Sequence, residues 1–306
     1  MDGFRHPTGA QHRICHGDQR ATIVQVGGGL REYEVAGFPV LDGYGEDEMA
    51  HHGRGQLLLP WPNRLADGRY EFGGETLQLA IGEPARRNAI HGLVRWSAWD
   101  LIELEPSRVR LGHVLWPQAG YPFLLALELE YELSDAGLRV TVRARNAGRG
   151  PAPYGAGMHP YLRAERGPVD GTVLKLGADR WLESDDRNLP TGRMLSVVGT
   201  PFDFREPRPV GGTVIDTAFT GLPRDAAGIA RVELSGDGGR RVAVWMDAHF
   251  EYVMVFTGDP LAADERRRSV AIEPMTCAPD AFRNGLGLQV LEPDQQVSAS
   301  WGISVS

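Results

Sequence analysis

The sequence is nearly free of lysine: Lys175 is the one exception to arginine among 32 basic residues. Schiff-base chemistry through a lysine amine therefore has a single candidate. Cysteine is equally scarce. Cys15 and Cys277 form no CxxC pair, and two cysteines alone neither require nor exclude a disulfide. No window approaches the ~18 consecutive apolar residues of a membrane helix. Met1 to Gly17 hold no apolar run between a basic start and a small-residue cleavage site, so a cytoplasmic protein is expected, with no membrane partner. The net charge is −8, and Arg266 to Arg268 form the one basic block, which argues against a nucleic-acid backbone as partner. Recognised cofactor and nucleophile motifs are missing too. There is no phosphate loop and no G-x-S-x-G elbow, and Gly27-Gly28-Gly29 runs into Glu32 where a dinucleotide fingerprint needs its last glycine. No metal site is expected, because neither H-E-x-x-H nor CxxC spacing occurs and the adjacent His51 and His52 would point to opposite faces of a strand.

What the chain does have is glycine (39), proline (21) and a period of two. Leu125, Leu127, Leu129, Tyr131 and Leu133 alternate with Ala126, Glu128, Glu130 and Glu132. Beyond a Ser134–Gly137 turn, Leu138, Val140, Val142 and Ala144 alternate with Arg139, Thr141, Arg143 and Arg145. That is a hairpin with one dry and one wet face, its outer glutamates facing its outer arginines. Tyr70–Phe72 and Leu77–Leu79, joined through Gly73-Gly74, read as a second hairpin, the glycines supplying the positive φ of a tight turn. Strand-like runs follow at Ala21–Val26, Arg108–Leu115, Arg231–Leu234, Arg241–Asp247, Glu251–Phe256, Ser269–Ile272 and Val297–Val305. Leu261–Arg268 could form one short helix. No strand–helix alternation appears, so a parallel α/β sheet is not expected. Residues 1–306 read as a single all-β domain, a large antiparallel β-sandwich with very little helix.

On such a scaffold, polar residues in Gly- and Pro-rich connections are the candidates for function. Pro60-Trp61-Pro62-Asn63-Arg64 is a rigid turn ending in a guanidinium, whose fork suits two sugar hydroxyls or a carboxylate, or else an ordinary surface salt bridge. Asn88-Ala89-Ile90-His91-Gly92 offers an imidazole that is either structural or a proton donor and acceptor. In Gly155-Ala156-Gly157-Met158-His159-Pro160-Tyr161, two glycines clear space beside a histidine among aromatic residues. Ile215-Asp216 reads most simply as a turn cap. Glu273 ends an apolar strand and Pro274 follows at once; it is either a buried partner for an arginine or a base with a raised pKa. Trp61, Trp96, Tyr161 and Phe282 are either a platform for sugar C–H faces or plain packing. His113, on the apolar side of its strand, is expected to be a satisfied core histidine.

Taken in order over some 220 residues, these segments resemble the aldose 1-epimerase (galactose mutarotase) family. The resemblance runs from about Ala21 to Trp301 and rests on N-R at Asn63-Arg64, H-G at His91-Gly92, and G-x-H-P-Y at Gly157–Tyr161. It continues with I-D-x-x-F at Ile215–Phe219 and E-P-x-T-x-x-P-D-A-F at Glu273–Phe282. It implies the galactose mutarotase-like supersandwich, with Glu273 as base, His159 as acid, and Arg64, His91, Asp216 and Asn63 holding a sugar. The implied reaction is anomer interconversion by ring opening, without cofactor or metal, the acid and base lying on opposite sides of the C1–O5 unit. A small sugar is the implied partner, bound by a monomer or homodimer. A non-catalytic sugar-binding protein on the same fold is the alternative, and a hydrolase built on Asp216 and Glu273 a third reading. The chain departs from the family pattern at Leu93, Leu162 and Met275; the last stands where a glutamine is common near the cleft.

Overall fold

Period two becomes antiparallel pairing almost everywhere in the structure, a computed structural model that describes residues 6–306. Nine strands make the larger sheet. Its centre is the expected hairpin, Leu125–Ser134 against Gly137–Asn146, in register with Leu133 opposite Leu138. Asp100–Glu105 and Arg108–Leu115 extend it on one side. Gln296–Val305, Arg241–Met246, Ala230–Ser235, Val173–Leu176 and Arg208–Pro209 extend it on the other. The wet face pairs as its charges suggest: Arg143 reaches Glu128 at 2.9 Å and Glu130 at 3.3 Å, and Arg110 joins Glu128 from the next strand.

The second large sheet runs Pro190–Ser196, Arg180–Ser184, Asp216–Thr220, Tyr252–Phe256, Val270–Met275, Gly157–Met158 and Leu57–Leu58, with Tyr161–Leu162 also on Val270–Met275. The inner faces of both sheets share one hydrophobic cluster; Leu129, Val142 and Trp301 come from one, and Phe219, Val253, Val255 and Ile272 from the other. Because side chains alternate across a strand, that assignment fixes the opposite face. Met254, Phe256 and Glu273 stand on the outer side of the second sheet, away from the sandwich core.

A four-stranded sheet (Gln11–His16, Gln19–Val24, Leu30–Val35, Phe38–Pro39) and the small hairpin Arg69–Phe72 with Glu75–Gln78 complete the main elements. The expected helix at Leu261–Arg268 does not form. The segment is a series of turns, and Arg267, at φ +52°, leaves helical space. The one α-helix among the described residues is a single turn, Ala281–Asn284. No helix there is long and apolar enough to cross a membrane. Both cysteines are free, Cys277 buried and Cys15 exposed.

Candidate active site

Three loops close over the outer face of the second sheet and leave a cleft of about 500 Å³. Its floor comes from neighbouring strands, with Glu273 opposite Met254 and Asp216 opposite Phe256 in register. Its walls come from the turn at Asn63-Arg64, the segment around His91, Arg95 and Trp96, and the loop at His51 to Gln56. All six residues singled out in the sequence, Asn63, Arg64, His91, His159, Asp216 and Glu273, line this one cleft.

The end of the Glu273 strand also builds the walls. The Thr276 hydroxyl accepts from the Ala156 N–H at 2.8 Å and holds the loop before His159. The Asp280 carboxylate accepts from the Ala66 N–H at 2.9 Å, and its own N–H donates to the Arg64 carbonyl at 2.7 Å, which pins the arginine strand. Gly157 is required by close approach, since a Cβ there would lie 2.7 Å from Pro62 Cβ.

At the centre, His159 Nε2 lies 3.2 Å from Glu273 Oε1. Both residues are buried, at 5% and 2% exposure. Burial disfavours the charged form of each, pulling the imidazole down to about 3 and pushing the carboxyl well above its usual range. Nearby Arg95, Arg54 and Arg64 further oppose a charged imidazole, and Asp216 further opposes a carboxylate. At this separation the two groups titrate as a coupled unit rather than independently. They stand side by side, rather than facing each other across the cleft. That suits ring opening, because the C1 hydroxyl oxygen and the ring oxygen share one carbon.

The other positions differ in their freedom to bind. One edge of the Arg64 fork is already taken: Nε and Nη2 donate to the two Glu83 oxygens at 2.9 and 3.0 Å, which leaves the two Nη1 N–H groups and the second on Nη2. Burial would raise Glu83, but the bonds from Arg64, Asn88 and Arg86 outweigh it and hold the carboxyl below its usual range. Asn63, at φ +55°, spends its Oδ1 on the Arg64 N–H. His91 is kept neutral chiefly by burial, its ring edge-on to His159 at 5.5 Å. Asp216, raised by burial, accepts from Asn188 Nδ2 at 2.7 Å.

Several expectations need correction. Trp61 and Phe282 pack on each other in the core, 5.6 Å apart, so of the four proposed platform residues only Trp96 and Tyr161 line the cleft. Trp96 is 55% exposed at the rim. His51 and His52 do not diverge across a strand. They lie beside a turn, and both reach Glu265, at 2.7 and 3.2 Å. Met275 is buried against Tyr252 and Met254, and none of Leu93, Leu162 and Met275 lines the cleft. His113 is half-buried, donates from Nδ1 to the Ala98 carbonyl at 3.1 Å, and packs on Trp99.

Sequence reasoning missed Arg95 and Gln56. Arg95 bonds to Gln56 Oε1 and the Ile90 carbonyl, both at 3.3 Å, and burial lowers it to about 10. Its place between His91 and Trp96 was the available signal. Among the described residues no group of three or more His, Cys, Asp or Glu is arranged to hold a metal ion.

The aldose 1-epimerase family model matches residues 11–304. The uncharacterized protein YihR of Escherichia coli (strain K12) is 34% identical over 288 residues, 94% of this chain and 90% of that protein. The maltose epimerase of Levilactobacillus brevis is 29% identical over 271 residues, 79% of this chain and 76% of its own. A crystal structure of a GalM/aldose epimerase homologue from C. elegans superposes with a TM-score of 0.87 at 17% identity, covering 97% of this chain and 98% of that one.

Proposed function

Since this chain belongs to the aldose 1-epimerase family, we propose that its cleft interconverts the α and β anomers of a free aldose, with Glu273 as base and His159 as acid. The observation that carries this reading is the buried contact of His159 Nε2 with Glu273 Oε1 at 3.2 Å, inside a cleft of sugar size. At rest burial favours the neutral pair, with the shared proton on Glu273; as the sugar binds it passes to His159 and leaves Glu273 as the carboxylate. Glu273 takes the proton of the C1 hydroxyl, the C1–O5 bond breaks with its electron pair going to O5, and His159 protonates O5. The open aldehyde turns about C1–C2. O5 then attacks the other face of C1, returning its proton to His159 while Glu273 gives its own back to O1.

The cycle consumes no proton and leaves the pair as it began. Both groups must give and take in one turnover, and their direct contact lets one proton move answer the other. The remaining Arg64 donors, the neutral His91 ring, Asp216 and Asn63 hold hydroxyls. Trp96 offers a flat apolar face. We read the protein as one domain, a cytoplasmic monomer or homodimer acting on a small neutral hexose.

Polarimetry of freshly dissolved α-D-glucose, α-D-galactose and their phosphorylated counterparts tests the proposal, with the spontaneous rate subtracted. Accelerated relaxation of a neutral aldose is the expected result. Saturable binding with no acceleration on any sugar would overturn it in favour of a sugar-binding protein.

A further inference from the structure

Behind the cleft wall lies an arginine that does not itself line the cleft. Arg54 is 1% exposed. Its Nη2 lies 3.3 Å from both Asp42 Oδ2 and Glu265 Oε1. Among the described residues its Nε and Nη1 have no hydrogen-bond partner. Asp42 does not need this arginine for neutralisation: Arg163 lies 2.7 Å away, Arg268 donates at 3.1 Å and Ser269 at 2.7 Å. A buried guanidinium with two idle groups and a shared carboxylate is costly to place there.

What it does have is a stack. The guanidinium carbon sits 4.5 Å over the Tyr161 ring. The ring stacks on His159, parallel to it at 4.8 Å and 14°, and meets Phe256 edge-on at 6.3 Å. The Tyr161 hydroxyl donates to the His52 carbonyl at 2.9 Å, which ties the ring to the same loop that carries Arg54. That loop also brackets His159 by backbone: the Gly55 N–H donates to the His159 carbonyl at 2.9 Å, and the His159 N–H donates to the Gln56 carbonyl at 3.1 Å. Gly53 presses on the ring edge, where a Cβ would fall 2.6 Å from His159 Cδ2.

We propose that Arg54 is a positioning residue for His159, acting through Tyr161 as the fixed base of a three-layer cation–ring–ring stack. A guanidinium over a tyrosine face is a favourable contact that grows when desolvated, and the parallel rings transmit its placement to the imidazole. The stack faces His159 on one side. Glu273 and His91 face it on the others, with Arg64 and Arg95 as the remaining nearby charges. Arg54 thus locks the ring plane and adds a fixed cation that weakens the imidazole's hold on the shared proton.

The inference rests on the acid role given to His159, so its test includes a reading that needs no turnover. In protein labelled with 15N-histidine and free of sugar, the His159 resonances are identified by their loss in His159→Asn. In Arg54→Met the Nε2 resonance should move from its wild-type position and broaden as the stack loosens, and kcat should fall roughly ten- to hundredfold with KM within about twofold. Arg54→Lys keeps the charge between Asp42 and Glu265. It should fold, hold the resonance near its wild-type position, and recover only part of kcat because the flat cation is gone. A folded Arg54→Met with unchanged resonance and kcat overturns the proposal. Should that variant not fold, wild-type kcat in Arg54→Lys overturns it equally. A chain inactive on every sugar, but with the resonance moving as stated, would refute the acid role and leave the stack standing.

Discussion

Replacing Glu273 with glutamine separates the chemistry from the fold more cleanly than any other change in this cleft. The side chain is 2% exposed, its Oε2 has no hydrogen-bond partner among the described residues, and burial pushes the carboxyl well above its usual range. Burial already disfavours its charged form, and an amide of nearly the same shape replaces it without a new charge or cavity. The stability change should stay under about 1 kcal/mol, within the range of ordinary substitutions. Activity should respond quite differently. An amide cannot take the C1 hydroxyl proton, and the other carboxylate on the floor, Asp216, is engaged by Asn188 at 2.7 Å. A positioned general base contributes ~10²–10⁴-fold, or about 3–5 kcal/mol of barrier. The assay is polarimetry with the uncatalysed rate subtracted, alongside thermal unfolding of the same preparation. A folded Glu273→Gln enzyme within about tenfold of wild type would refute the assignment of the base.

Acid stability should carry a signature of His91: held neutral by burial, it refuses a proton that the unfolded chain accepts below about pH 6.5, so stability falls as pH drops, by up to about 1.4 kcal/mol per pH unit. Urea denaturation should show His91→Asn gaining on wild type toward pH 5, and parallel curves would contradict this. Trp96→Ala, at a 55% exposed rim position, should raise KM roughly two- to tenfold with kcat and melting temperature held, and an unchanged KM removes Trp96 from the sugar platform. Gly53→Ala puts a methyl 2.6 Å from His159 Cδ2 at φ +78°, so kcat should drop about tenfold or more in a protein that still folds; full activity would show that the ring has room to move.

The legible part of the site was legible for a local reason. Pro62 and Pro160 fall in connections between strands and Gly157 opens a two-residue strand, but Pro274 lies inside Val270–Met275, so Glu273 is a mid-strand side chain on the outer face rather than the strand's end. Each of these glycine and proline positions adjoins, or nearly adjoins, a residue that lines the cleft. What failed was inference about direction in irregular segments. His51 and His52 share Glu265 because His52 sits at φ +52°, outside any strand alternation. Trp61 and Phe282 look like Trp96 in sequence, yet they turn inward.

The sequence by itself determined the all-β class, the central hairpin and its register, and the residue types of the candidate acid and base. Period two and turn chemistry are properties of neighbouring residues, and they survive in one dimension. Only the tertiary structure decided that Glu83 takes one edge of the Arg64 fork, that Arg95 joins the cleft, and that His159 touches Glu273 while resting on Tyr161 and Arg54. Glu273 and His159 are 114 positions apart, and Arg54 is 105 positions before His159. Contacts of that span depend on how whole sheets and loops pack, and it is the same packing, by excluding water, that shifts the pKa values on which the proposed chemistry depends.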